Sequence, residues 1–181
     1  MINKFKNKKG FTLVEMLIAI SLFTVIASFS VGAVLSIFDA SHRARSSKTV
    51  VDNLNLAIED MTRTIRFGNS YYCGVSSSLS STNDCSGGLD SVSVTFEGNR
   101  IIFRLNGNTI QKSSNGGSSY TNITSSETII EYLRFYVIGS SPSNGNQPYV
   151  IAVIKGYSGN RPTAQSKFFV QTLMSQRKLD I

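Results

Sequence analysis

A single carboxylate, Glu15, lies near the start of an apolar run that extends from Phe11 to Phe38. A run of this length can cross a bilayer as one helix. A carboxylate inside hydrocarbon costs about 2.5–3.5 kcal/mol on insertion scales, so its presence there indicates a functional role and a partner for its charge. The preceding residues, Met1–Gly10, contain no acidic residue and four lysines, Lys4, Lys6, Lys8 and Lys9.

A cleaved secretory signal and a plain signal anchor are the two ordinary alternatives to a specialised role for this region. A cleaved secretory signal has an apolar core of about 7–15 residues that ends in a small-x-small site. Phe11–Phe38 is longer than that, and the candidate site Ser28-Phe29-Ser30 is followed by more apolar sequence. A plain signal anchor fits the length, but it explains neither Gly10 nor Glu15.

The junction Lys9-Gly10-Phe11-Thr12-Leu13-Val14-Glu15 resembles the processing site of type IV pilins and type II secretion pseudopilins. The resemblance implies that a prepilin peptidase cleaves between Gly10 and Phe11 and methylates the amino group of Phe11. It also implies that Glu15 pairs with the amino group of Phe11 in an adjacent subunit during assembly. The partners implied are other pilin or pseudopilin subunits, contacted through the N-terminal helix, and an inner-membrane assembly platform.

Two further residue patterns bear on the subtype. The acidic residue at the fifth mature position argues against the K-type tip pseudopilin, which lacks it. Phe168–Arg177 faintly resembles the C-terminal strand of J-type pseudopilins and related minor pilins.

The charge balance predicts the orientation in the membrane. The net charge is +7, but four of the 18 basic residues are leader lysines, so 14 remain against 11 acidic residues, a balance of +3. Basic residues flanking a membrane helix stay on the cytoplasmic side. The leader is therefore expected in the cytoplasm and the C-terminal domain outside the inner membrane, although Arg43, Arg45 and Lys48 flank the other end.

The pattern after the apolar run predicts an α+β fold with an antiparallel sheet packed on a long N-terminal helix. Val51, Leu54, Ile58, Met61 and Ile65 form an amphipathic stripe, and Gly68-Asn69 should end the helix near Phe67. Residues 68–90 are rich in Ser and Gly and are expected to be irregular. Alternating segments then predict strands, with a hairpin turn at Gly98-Asn99: Ser91–Phe96, Arg100–Leu105, Thr109–Lys112, Thr128–Ile138, Tyr149–Lys155 and Lys167–Met174.

The expected organisation has four parts: a basic leader (1–10), a transmembrane half-helix (11–38), an amphipathic half-helix (39–67) and an extracytoplasmic β domain (68–181). Cys73 and Cys85 are the only cysteines. In an oxidising compartment they would form a disulfide. Two unrelated thiols, or half of a metal site, are the alternatives.

Other functions have weaker support in the sequence. His42 is the only histidine, so no catalytic triad is available to the outer domain, and no cofactor motif is present; we expect no enzyme. A DNA-binding role would use the basic residues Arg43, Arg45 and Lys48 with stacking by Tyr71-Tyr72, but basic residues beside a membrane helix more commonly contact lipid headgroups. The expected function is a minor pilin or pseudopilin; the alternative is a signal-anchored extracytoplasmic binding domain that joins no filament.

Overall fold

The computed structural model describes residues 10–141, 145–159 and 165–177, without the side chains of Ser46 and Thr49. The four leader lysines, the end of the predicted β domain and parts of the turns at 140–148 and 158–162 lie outside the described residues. The described chain divides into two compact units, one ending at His42 and the other beginning at Arg43.

The fold is α+β, with one long N-terminal helix packed with two antiparallel sheets. Helix α1 comprises Leu13–Phe67. The strands, in chain order, are β1 (Asn69–Cys73), β2 (Cys85–Leu89), β3 (Ser91–Phe96), β4 (Asn99–Asn106), β5 (Thr109–Ser113), β6 (Thr121–Asn122), β7 (Thr128–Ile138), β8 (Tyr149–Ser158) and β9 (Ser166–Ser175). The predicted fold class is confirmed, but the strands form two sheets rather than one.

The first sheet has the strand order β1-β3-β4-β5-β6, and the second has the order β2-β7-β8-β9. The disulfide between Cys73 of β1 and Cys85 of β2 links the two sheets. One core lies between α1 and the sheets. Its fully buried members include Met61, Phe103 and Phe135.

The amphipathic stripe of α1 was predicted correctly except at one end. Leu54, Met61 and Ile65 are buried in the core, and Ile58 packs against it. Val51 is 55% exposed, whereas Val50 is buried. Four residues before Leu54 is the better match to a 3.6-residue period, so Val50 rather than Val51 continues the stripe.

The helix ends where the sequence predicted. A Cβ atom at Gly68 would lie 2.8 Å from the carbonyl oxygen of Thr64 and 2.9 Å from that of Thr95. Only glycine fits at such a close approach of two backbone segments. The tight exit brings β1 directly against β3, where Cys73 pairs with Val92.

The prediction of an irregular segment over residues 68–90 was wrong at both ends. Strand β1 pairs with β3, and β2 pairs with β7. Their Ser, Gly and Asn content masked the strand pattern, and long-range pairing overrode it. The β3–β4 hairpin also turns one residue earlier than predicted, because Glu97 and Gly98 form its two-residue loop with φ values of 50° and 77°.

Candidate functional site

The candidate site is the start of helix α1, where Thr12 and Glu15 cap the first turn. The hydroxyl of Thr12 accepts a hydrogen bond from the Glu15 backbone N–H at 3.2 Å. The Glu15 carboxylate in turn accepts from the Thr12 backbone N–H at 3.2 Å and from its hydroxyl at 3.3 Å. This reciprocal arrangement is a capping box, which satisfies two backbone donors that the helix itself leaves unpaired.

The capping box gives Glu15 a local role that the sequence interpretation missed. A Thr followed three residues later by a Glu, just before an apolar run, is a sequence signature of a helix start. Thr12 could therefore have been identified as a site residue from the sequence. The carboxylate in the first turn also complements the positive end of the helix dipole.

Gly10 and Phe11 precede the helix and are accessible. Both are exposed, with Phe11 at 80%, and neither is helical. The peptide bond that joins them is therefore exposed and outside regular secondary structure.

The apolar half of α1 presents its side chains outward on every side. Its large apolar side chains, from Phe11 to Phe38, are all about half exposed or more. Its hydroxyls donate back to backbone carbonyl oxygens one turn earlier, for example Ser21 to Ile18 and Ser28 to Thr24, both at 2.8 Å. Thr24 and Ser30 are paired in the same way, so these four hydroxyl protons have partners within the helix. By length and composition, α1 is the one described helix that could cross a membrane.

Comparison with known proteins supports the interpretation of this region. Residues 5–31 match the prokaryotic N-terminal methylation motif. This motif marks type IV pilin-like proteins. No curated protein and no solved structure matches the chain. The likeness to type IV pilin-like proteins therefore lies in residues 5–31.

The second candidate feature is the Ser-rich loop, residues 74–84, between β1 and β2. The structure joins its flanking residues, Cys73 and Cys85, by a disulfide with a Cα separation of 5.8 Å. At the end of the loop, the Asp84 carboxylate accepts backbone hydrogen bonds from Gly139 at 2.9 Å and Ser140 at 2.8 Å. Burial opposes the charge of Asp84, but the hydrogen bonds from Ser140 and Gly139 outweigh it and lower the pKa of this carboxyl below 3.8.

The buried Arg100 side chain is hydrogen-bonded to the Ser-rich loop. No pattern in the sequence identified Arg100 as a site residue. Its side chain is 2% exposed. Its guanidinium donates to the carbonyl oxygens of Ser70 at 2.6 Å, Ser76 at 3.2 Å and Ser81 at 3.2 Å. Burial lowers the pKa of Arg100, and the neighbouring Tyr72 opposes that shift. A planar cation with several donors is suited to binding several carbonyl groups at once.

The structure removes one element of the DNA hypothesis and gives one acidic residue of α1 an ion-pair partner. Tyr71 is 1% exposed, and its hydroxyl donates to the carbonyl oxygens of Ile65 at 2.7 Å and Gly68 at 2.9 Å, so its ring cannot stack on bases. Asp60 forms an ion pair with Lys112 at 2.7 Å. Among the described residues, no group of three or more His, Cys, Asp or Glu side chains could hold a metal ion.

Proposed function

We propose that this type IV pilin-like chain is a minor pilin or pseudopilin, a structural subunit of a type IV filament system that serves a pilus, type II secretion or DNA uptake. Prepilin peptidase cleaves between Gly10 and Phe11 and methylates Phe11. The methylation motif at residues 5–31 carries the proposal, and the accessible Gly10–Phe11 junction supports it.

The apolar half of α1 occupies two environments in succession. It first lies in the inner membrane, with the β domain outside, and then leaves lipid for neighbouring helices in the filament. Lipid is as apolar as the helix, so packing and polar pairing drive this exchange rather than the hydrophobic effect. The inner-membrane assembly platform would hold the subunit during the transfer.

Glu15 supplies the polar pairing in this proposal. Its carboxylate already accepts two hydrogen bonds from Thr12 within its own chain. The amino group of Phe11 in an adjacent subunit, created by cleavage, would add the charge partner that a carboxylate needs among packed helices. Glu15 would then both cap its own helix and set the register of the next subunit.

The experiment must separate the capping role of Glu15 from its charge. Glu15→Gln retains a capping box, because Gln occupies that position as Glu does, whereas Glu15→Ala removes both cap and charge. We expect both variants to insert in the membrane and to be cleaved, but to be nearly absent from sheared filaments. Incorporation is measured by immunoblotting of membrane and filament fractions against total protein.

Three outcomes would contradict parts of this proposal. Normal incorporation of Glu15→Gln with loss of Glu15→Ala would make capping, not charge, the assembly determinant. Normal incorporation of both would favour the signal-anchored alternative. Gly10→Val serves as the processing control, and mass spectrometry should find it uncut; a wild-type chain that starts anywhere other than Phe11 would refute the cleavage site.

The proposed compartment gives a separate prediction for the cysteines. An oxidising environment should keep Cys73 and Cys85 paired in the cell, and the bond should contribute about 3 kcal/mol to the free energy of unfolding on the chain-entropy estimate. Protein alkylated during lysis and then denatured should show no free thiol. Leu79→Cys, which places one exposed thiol on the loop, is the positive control for labelling; two free thiols in the wild type would contradict the compartment.

A further inference from the structure

The second sheet has an outer face that carries both cations and aromatic rings. Successive side chains of a strand point to opposite faces, and Phe135, Ala152 and Met174 mark the face that lies in the core. The strand register places six side chains of the opposite face in three successive rows, with Tyr157 and Lys167 in the first, Tyr132, Lys155 and Phe169 in the second, and Arg134 in the third.

The three cations form a diagonal line across the sheet. Lys167 on β9, Lys155 on β8 and Arg134 on β7 each lie one strand and one row from the next. Adjacent strands are about 4.8 Å apart and two residues along a strand span about 6.8 Å, so successive cations are about 8 Å apart at the backbone. Within the described strands of this sheet, they are the only basic residues. A regular line of cations fits a polymer whose negative charges repeat along one chain.

One acidic residue, Glu131, opposes these cations within the described strands of the sheet. It is the extra residue at the irregularity between Ile130 and Tyr132, and its carboxylate lies 3.7 Å from the Lys155 ammonium group. Both side chains are about half exposed, and exposed ion pairs are weak. Glu127 precedes β7 and lies beyond the first of the three rows. The line of cations therefore keeps a net positive charge.

Aromatic rings lie on both sides of the line of cations. Tyr157 and Tyr132 lie on one side, and Phe169 lies on the other. Phe169 is 67% exposed and Tyr132 is 39% exposed. The guanidinium of Arg134 is 5.8 Å from the centre of the Tyr132 ring and donates to the carbonyl oxygen of Gly88 at 3.1 Å. Cations that follow a backbone, beside rings on which bases stack, are the combination by which proteins bind single-stranded nucleic acid.

We propose that the outer face of the second sheet binds single-stranded DNA. Lys167, Lys155 and Arg134 would contact successive phosphates, and bases would stack on Phe169 and Tyr132. A duplex presents only base edges in its grooves, so it could use the cations but not the rings. None of these residues belongs to the set that the sequence suggested for DNA contact. The inference goes beyond the proposed filament function and requires neither cleavage nor assembly.

The test of the rings measures binding of a fluorescein-labelled oligothymidine of about 12 nucleotides by fluorescence anisotropy. The protein is the chain isolated from membranes in a non-ionic detergent. Phe169→Ala should weaken binding about tenfold, because it removes one stacking ring, whereas Phe169→Trp should retain it. Leu173→Ala is the matched control and should leave the affinity unchanged, since Leu173 is 61% exposed on the same strand but has no ring. A duplex of the same length should bind more weakly than the single strand.

Salt dependence tests the cations independently of the rings. Each phosphate contact of a single strand contributes about −0.7 to the slope of log K against log salt concentration, so three contacts predict a slope of about −2. Lys155→Gln should reduce the magnitude of this slope by about 0.7, whereas Phe169→Ala should not change it. Glu131→Gln should strengthen binding several-fold, because it removes the carboxylate beside Lys155. Lys48→Gln, which changes an exposed cation of α1 outside the sheet, is the control.

Several outcomes would overturn this proposal. They are equal losses of affinity for Phe169→Ala and Leu173→Ala, equal losses for Lys155→Gln and Lys48→Gln, a duplex that binds as tightly as the single strand, and no binding at about 50 mM salt. Displacement of the oligonucleotide by polyglutamate at equal charge concentration would assign the face to an acidic protein instead. Thermal denaturation of each variant separates a loss of binding from a loss of folding. Filament incorporation is measured separately, so failure of DNA binding leaves the proposed function intact.

Discussion

The two sheets of the β domain face solvent differently, although both cover the same core. The outer face of the first sheet carries the polar residues Ser93, Thr95 and Arg100 together with the buried Ile102, and the Ser-rich loop lies hydrogen-bonded across it. Ser93 donates to the carbonyl oxygen of Gly74 at 2.7 Å, and Thr95 donates to that of Leu79 at 2.6 Å. The outer face of the second sheet is apolar and basic, and Phe169 and Leu173 remain exposed.

This difference separates residues that hold the fold from residues that are available for contacts. Polar side chains on the outer face of the first sheet donate hydrogen bonds to the chain's own Ser-rich loop, because buried carbonyl groups need donors. Apolar side chains on the second sheet lie outside the core, so they add little to the stability of the isolated subunit. We therefore expect substitutions on the outer face of the first sheet to lower the free energy of unfolding. Substitutions on the outer face of the second sheet should leave that free energy nearly unchanged and affect partner binding instead.

The largest expected effect contrasts the two faces of the second sheet itself. Phe135 is fully buried and Phe169 is 67% exposed. Phe135→Ala should lower the free energy of unfolding by about 3–5 kcal/mol, whereas Phe169→Ala should change it by less than about 0.5 kcal/mol. Chemical denaturation of the purified full chain measures both, and similar losses would show that the outer face is part of the core.

The next contrast uses one arginine from each sheet. Arg100→Ala leaves the carbonyl oxygens of Ser76 and Ser81 in the loop, and that of Ser70 in β1, without their donor and should cost about 3 kcal/mol. Arg134 is half-buried and donates to one carbonyl oxygen, that of Gly88, at 3.1 Å, so Arg134→Ala should cost about 1 kcal/mol. Arg100→Lys keeps the charge but not the planar set of donors, so its loss of unfolding free energy should be intermediate. A loss for Arg100→Ala no larger than that for Arg134→Ala would refute the role of Arg100 in holding the loop.

The smallest effect concerns the pH dependence at the end of the Ser-rich loop. The pKa of Asp84 is lowered in the folded protein, so its contribution to stability is complete above 3.8 and is lost as the pH falls through the folded-state pKa. Asp84→Asn should therefore weaken the loss of stability below pH 3.8. Denaturation at neutral pH and at a series of acidic values measures this, with Asp52→Asn as the control; identical pH profiles for wild type and Asp84→Asn would refute it.

Local patterns predicted those parts of the fold whose partners are close in sequence. The spacing of Leu54, Met61 and Ile65 predicted the buried side of α1, and alternation predicted β7 and β8 with nearly correct ends. The 3.6-residue and two-residue periods reflect one-sided burial, which the sequence itself encodes. The Thr12–Glu15 capping box belongs to the same class, because its two members are three residues apart.

The sequence by itself determined that the chain begins with a type IV pilin-like segment, that a long helix follows and that strands come after it. Only the tertiary structure decided that β1 and β2 belong to different sheets, that Arg100 donates to carbonyl oxygens of a loop up to 24 residues away in the chain and that the outer face of the second sheet stays open. The physical reason is that hydrogen-bond and packing partners far apart in the chain leave no period in the sequence, and folding alone brings them together.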